Sequence, residues 1–466
     1  MNAYDEIAYP PSAYPRTHPD RIAAFAALFG LDSAPPDRCR VLEIGAGDGS
    51  NLIPMALGSP QSTFVGFDLA RAPVERGIET AKALGLENVR LFEADILDVD
   101  LGDEAFDYII AHGVYSWIPE AVRAGLMRLI RRSLSPNGVA FISYNALPGG
   151  YVRQAIRREL LFEARDVVGR TAQVAAAKRR LEEWPKPSPA FGRFRNAVAE
   201  EAANMRARTF AALAHDELSD AYQPVFLSDF SQDCAEHGLQ ILCEADPAEV
   251  REWFASPAEA EGVVERAQRD DFAGVRFFRE SLVIGADAPL TRRPSAERIA
   301  NLHIASKAVR VEGARFECEG VGFSLADPPM QSVLERLASI WPATATANTL
   351  IQDEARLLGL LDLCRFKAVE LYAAPFRFAV GDRPTASPLA RLEARQGRMR
   401  FTNLRHVMVD VDDPFTREFI AALDGTRTRA EIARDVAGRF DLTPEGALAP
   451  LGVMLELLAR ASLLVG

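Results

Sequence analysis

At 466 residues the chain is longer than one ordinary core accommodates, so two or three domains are expected. A composition that is 48% hydrophobic and 25% charged fits a soluble globular protein, and a formal charge of −12 argues against a dedicated nucleic-acid binder, whose cations must face phosphates. Cys39, Cys234, Cys243, Cys318 and Cys364 show no CxxC or Cys/His spacing and the six histidines are dispersed, so no metal site is expected. Buried, reduced thiols in a cytoplasmic protein are the reading. The first 21 residues lack the basic and apolar regions of a secretory signal, and no apolar run approaches the roughly 20 residues needed for membrane insertion.

In chain order, RVLEIGAG (40–47) predicts a strand ending in glycines, and STFVGFDLA (62–70) a second strand ending in an acid. A helix follows from Pro73 to Leu84, stopped by Gly85. NVRLFEADI (88–96) and FDYIIAHGV (106–114) are the third and fourth strands. AVRAGLMRLIRRSL (121–134) has helical spacing, and PNG (136–138) turns the chain into VAFISYN (139–145). Strands alternating with helices in this way imply a parallel α/β sheet covered on both faces.

After Pro148-Gly149-Gly150 the character changes. Residues 151–183 and 193–218 read as long helices, broken by the proline-rich stretch from Trp184 to Pro189. Strand signals resume over 238–246 and 276–286, so the helices read as an insertion after the fifth strand; the alternative is a separate helical domain. The expected organisation is a core over 1–150 with an N-terminal lid over 1–35, a helical insertion over 151–225, completion of the sheet over 226–288, and a C-terminal α+β domain over 289–466. Residues 291–466 carry 23 Lys+Arg against 22 Asp+Glu, so the acidity belongs to the first part of the chain. Residues 330–372 and 415–465 both run helix, turn, helix, then a Leu-rich helix into a strand, the order of winged-helix modules.

The strongest single feature is the stretch from Val41 to Gly49, with a GxGxG spacing directly after a strand. Its glycines permit positive φ and close backbone approach to a ligand at the carboxyl edge of the sheet. Glu43 precedes the first glycine and Asp48 sits inside the loop. Two carboxylates are poor neighbours for a pyrophosphate but suit a ligand bearing an ammonium and a sulfonium. Asp68 ends the second strand, where a carboxylate can take both ribose hydroxyls. Asp95 follows the third, where it can accept from an adenine amino group while Ile96 covers the ring. The alternative is that both acids are helix N-caps.

This block resembles the class I S-adenosylmethionine methyltransferases. Thr17-His18-Pro19-Asp20-Arg21, the stretch from His112 to Pro119, Ser143-Tyr144-Asn145 with Pro148-Gly149, and Thr402-Asn403-Leu404-Arg405-His406 are similar to bacterial proteins carrying a methyltransferase regulatory domain, over nearly the whole chain. The resemblance implies a Rossmann-like catalytic sheet with a helical insertion, a winged-helix-like C-terminal domain, and S-adenosyl-L-methionine as cofactor. It carries cofactor contacts to Glu43, Gly45, Ala46, Gly47, Asp68, Leu69, Asp95, Ile96, His112 and His18. The best-understood members methylate lysines of bacterial outer-membrane proteins. Where such members tend to have Trp after the Pro-Gly turn, this chain has Gly150.

His112 and Tyr115, on the fourth strand's edge, are the candidate catalytic residues. His112 either takes the acceptor's proton or contacts the cofactor, and the contact role is favoured. No Asn/Asp-Pro-Pro-Tyr/Phe motif is present, which disfavours a planar amide or base nitrogen as acceptor. Protein lysine is the leading acceptor; a small-molecule N- or O-methyltransferase and a cofactor-sensing DNA-binding regulator are the alternatives. The near-neutral C-terminal half, despite Arg391, Arg395, Arg398 and Arg400, speaks against the regulator. Tyr4, Tyr9 and Tyr14 either fold over the cofactor or pack the N-terminal segment down, and the insertion either covers the acceptor site or forms a homodimer.

Overall fold

The computed structural model describes residues 7, 9–256, 258–259, 262–377, 380–440 and 443–465. Its centre is a seven-stranded sheet of β1 (Arg40–Ile44), β2 (Thr63–Asp68), β3 (Val89–Glu93), β4 (Phe106–Ala111), β5 (Leu134–Asn145), β6 (Leu239–Glu244) and β7 (Phe278–Gly285), in the order β3-β2-β1-β4-β5-β7-β6. The first five strands are parallel, and β7 runs antiparallel to both β5 and β6. The central strands are buried on both faces, which is why they read as continuous apolar runs rather than alternating ones. Helices α1 (Pro19–Leu28), α2 (Leu52–Gly58), α3 (Arg71–Ala83) and α4 (Glu120–Ser133) accompany the parallel half.

The chain leaves the carboxyl end of β5 into α5 (Gly149–Ala164), α6 (Arg170–Glu183) and α7 (Arg193–Arg206), then re-enters the sheet through α8 (Leu227–Glu236), β6, α9 (Val263–Gly274) and β7. The three long helices close on a small core of their own, with Ile156, Leu160, Val174, Leu181, Met205 and Leu213 buried. They form an insertion between strands of one sheet. A short π-helix, Leu213–Glu217, ends it and sets His215 against the N-terminal segment, its Nε2 2.6 Å from the Ile7 carbonyl.

The main apolar core extends from Ile22 to Leu371, so residues 289–371, grouped above with the C-terminal domain, share the sheet's core. Their small strands His303–Ala305, Ala345–Thr346 and Glu370–Tyr372 pair with one another, and the helices Pro328–Ile340 and Glu354–Arg365 bury Leu334, Leu337 and Leu360. A separate core begins at Ala386 and ends at Leu464, holding the helices Pro414–Ala422, Arg429–Phe440 and Pro444–Arg460. No helix among the described residues is long and apolar enough to cross a membrane, and no group of three metal-ligating side chains is present among them.

Candidate cofactor and acceptor site

At the carboxyl end of β1 the chain turns through Gly45, Gly47 and Gly49, at φ of +75°, +53° and +69°. Side chains with a Cβ rarely adopt this conformation. Gly45 and Ala46 donate to the Phe67 carbonyl at 2.9 and 3.0 Å, holding the loop against β2. A Cβ at Gly45 would lie 2.8 Å from Val114, whereas one at Gly47 would meet nothing within 4 Å. Gly47 therefore faces open space.

Asp68, at the end of β2, turns toward this loop. One carboxylate oxygen accepts from the Gly47 amide at 2.9 Å and the other from Ala70 at 2.8 Å. Asp95 accepts from the Leu97 amide at 2.8 Å, the turn-capping contact, and the Ala94 amide ties this segment to the Asp68 carbonyl at 2.9 Å. Ile96 is half-buried against the main core, and Leu69 is exposed.

Glu43 is buried on β1. Its Oε1 accepts from the Asn51 amide at 2.7 Å, while Oε2 has no hydrogen-bond partner. Burial, reinforced by the charges of Asp68 and Asp48, pushes its carboxyl up to about 8. An orphaned buried carboxylate oxygen beside an open glycine cradle fits the cationic amino-acid end of S-adenosylmethionine.

Asn51 was missed by sequence reasoning and organises this corner. It is buried at the start of α2, where it accepts from the Tyr14 amide at 2.9 Å and donates to Thr17 Oγ1 at 3.1 Å. The Ser12 amide donates to Ser50 Oγ at 3.3 Å. The segment from Ser12 to Thr17 is thus laid over the glycine loop. An amide side chain just after the glycines was the available signal, but its partners lie dozens of residues away.

On the acceptor side, the Tyr14 ring packs on His112 with centroids 3.9 Å apart, and Phe141 and Phe278 lie 5.8 and 6.3 Å from His112. His112 Nδ1 is buried without a hydrogen-bond partner, and desolvation pulls the imidazole down to about 4. A ring that weakly basic stays neutral near pH 7 and is a poor acceptor for an ammonium proton. Tyr9 packs against His215 at 5.7 Å, and Tyr4 lies outside the described residues.

Tyr115 departs from expectation. Rather than facing the acceptor, it is buried between Tyr144 and Phe230, with Arg123 over its ring, and its hydroxyl donates to Asp233 of α8 at 2.5 Å. A side chain so committed holds α8 to the sheet. Trp117 packs against Tyr222, with the Arg153 and Arg157 guanidiniums over its ring. His18 caps α1, its Nδ1 accepting from Asp20 at 3.2 Å, and its ring lies 5.3 Å from His406. At Gly150 a Cβ would come within 2.5 Å of Pro224, so Pro224 fills the space that a tryptophan there would need.

Three family models match the chain: "Methyltransferase domain" over 36–183, "Predicted methyltransferase regulatory domain" over 209–284, and "PKMT, C-terminal winged helix domain" over 382–442. An uncharacterized protein of Rickettsia prowazekii, RP789, is 31% identical over 480 residues, which cover 94% of this chain and 86% of that protein. A tRNA (guanine-N(7)-)-methyltransferase of Chloroflexus aggregans is 32% identical over 29% of this chain and 57% of its own. The solved structure of PKMT2 from Rickettsia typhi, also determined in complex with AdoHcy, superposes with a TM-score of 0.84 at 22% identity, covering 98% of this chain and all of that one. The chain belongs to the class I S-adenosylmethionine-dependent methyltransferases that carry a methyltransferase regulatory domain and a PKMT-type C-terminal winged helix.

Proposed function

We propose that the chain is a protein-lysine N-methyltransferase. The observation that carries this reading is the aromatic cluster of Tyr14, His112, Phe141 and Phe278 at the sheet's carboxyl edge, with carboxylates close by. Burial raises the Tyr14 phenol, and the charges of Glu43, Asp216 and Asp48 add to that shift. The carboxylates attract a cationic side chain, and desolvation among the rings then works against its charged form.

S-adenosylmethionine supplies an electrophilic methyl group on a sulfonium sulfur. In this reading Glu43 meets the ligand's ammonium, Asp68 the ribose, and Asp95 with Ile96 the adenine, while Gly47 leaves the space the ligand occupies. Tyr14 and the strap around it exclude water, and His112 lines the wall in its neutral form. In this reading the lysine meets the methyl group as the neutral amine, and His112, pulled down to about 4, does not take its proton. Five buried free thiols agree with a reducing, cytoplasmic setting.

Incubating a lysate with tritiated cofactor and analysing labelled proteins by mass spectrometry after trypsin should reveal one, two or three added methyl groups at lysines. The rate should rise between about pH 7 and 9 as the amine deprotonates. Label confined to small molecules would remove lysine as the acceptor.

A further inference from the structure

The Thr402–His406 motif lies outside the catalytic sheet, yet its last residue reaches the cofactor corner. His406 is buried and its Nε2 lies 2.8 Å from Asn51 Oδ1, a contact spanning 355 residues of sequence. The backbone at His406 is left-handed, with φ of +61°. The turn is held by the Asn403 side chain, which accepts from the amides of Arg405 and Val407, both at 2.9 Å. Arg405 pins the same turn to the first core through Glu370, at 3.1 Å, and through the Pro342 carbonyl, at 2.7 Å. Arg21 of α1 reaches the same Glu370 at 2.7 Å, so the motif is clamped onto the N-terminal segment.

The hydrogen bonds around Asn51 fix its orientation. The Tyr14 amide can only donate, so the atom facing it is the Asn51 oxygen. Thr17 gives its single hydroxyl proton to the Tyr14 carbonyl at 2.8 Å, and its oxygen therefore accepts from Asn51 Nδ2. The second lone pair of Oδ1 is left for the ring nitrogen of His406, which must carry its proton there. Burial holds that imidazole well below its ordinary value, so the ring is neutral and donates in one defined tautomer. With all four capacities of its amide used, Asn51 presents Nδ2 to Glu43 in one orientation only.

We infer that His406 is a positioning residue for the cofactor site, orienting Asn51 and through it the Glu43 carboxylate. The inference rests on the reading that Glu43 faces the cofactor. The C-terminal module thereby contributes to cofactor affinity through Asn51 and Glu43.

Calorimetric titration of the full-length protein with S-adenosylhomocysteine tests this. His406→Asn keeps a residue that tolerates positive φ but is too short to reach Asn51, and should weaken affinity by about fivefold or more. His406→Gln places an amide donor near the Nε2 position and should stay within about twofold of the parent. Asn51→Asp sets a second acceptor against Glu43 and should lose more than either. In steady-state assays of His406→Asn, KM for the methyl donor should rise by a larger factor than kcat falls. Unchanged affinity in His406→Asn or Asn51→Asp would overturn the inference. So would equal losses in the Asn and Gln variants with equally lowered thermal midpoints, since these would mark a purely structural role. Glu43→Gln separates the levels: if it binds as tightly as the parent, the placement of the cofactor fails, whereas loss there with none in His406→Asn rejects only the coupling.

Discussion

Glu43 carries two opposed consequences of one burial. Its carboxyl sits near 8 in the folded chain against an ordinary 4.5, so the unfolded chain binds fewer protons between those values. Stability from this group is full below about pH 4.5 and is lost as pH rises through about 8. Glu43→Gln should therefore raise the thermal midpoint of the ligand-free protein at pH 8.5 more than at pH 5, while weakening S-adenosylhomocysteine binding. A single stabilisation shared equally by both pH values would contradict the assignment. An ammonium placed against the orphaned oxygen favours the ionised carboxylate, so binding near pH 7 should release protons, read as a buffer-dependent enthalpy. On the placement proposed above, Asp68→Ala should cost at least about tenfold in affinity, because the carboxylate is lost both to the ribose and to the Gly47 amide that shapes the loop. Gly47→Val should lose more, since a branched Cβ at φ +53° is strained and fills the open cradle.

The elements divide by how local their causes are. The strand, glycine turn and following acid are legible in the sequence because each rests on neighbours a few residues apart: apolar runs for β1 to β4, positive φ at the turn, and a carboxylate at the end of β2. The direction of a side chain leaving the short turn after β4 is not legible. His112 and Tyr115 are three residues apart, yet one faces the aromatic cluster and the other is claimed by Asp233, 118 residues further on. Asn51 escapes notice for the same reason, as its partners come from the N-terminal segment and from residue 406. Tyr115→Phe should accordingly lower stability by about 1 to 3 kcal/mol, the loss of a hydrogen bond to a partly buried carboxylate. S-adenosylhomocysteine affinity should stay at the parent value. Lost turnover with an unchanged unfolding midpoint would return Tyr115 to the acceptor site.

Across the whole molecule, the boundary between catalytic and appended parts falls later than composition suggests, because residues 289–371 bury their apolar side chains in the sheet's own core. Helix-turn-helix order reports how a segment folds and is silent about which core it joins. Among the described residues of the C-terminal module, Arg400 pairs with Asp410 at 2.8 Å and Arg398 lies 3.7 Å from Glu393. Duplex DNA should not bind it at physiological salt, and a steep salt dependence in a filter or anisotropy assay would revive a regulatory reading. The contact between His406 and Asn51 also sets an order in time. During synthesis the glycine loop leaves the ribosome 355 residues ahead of the histidine that completes its hydrogen bonds. At about 5–20 residues per second, that interval lasts from roughly 20 to 70 s. Through that interval Asn51 lacks the donor that fills its second lone pair, so on the coupling inferred above full affinity for the methyl donor arrives only once His406 has been made.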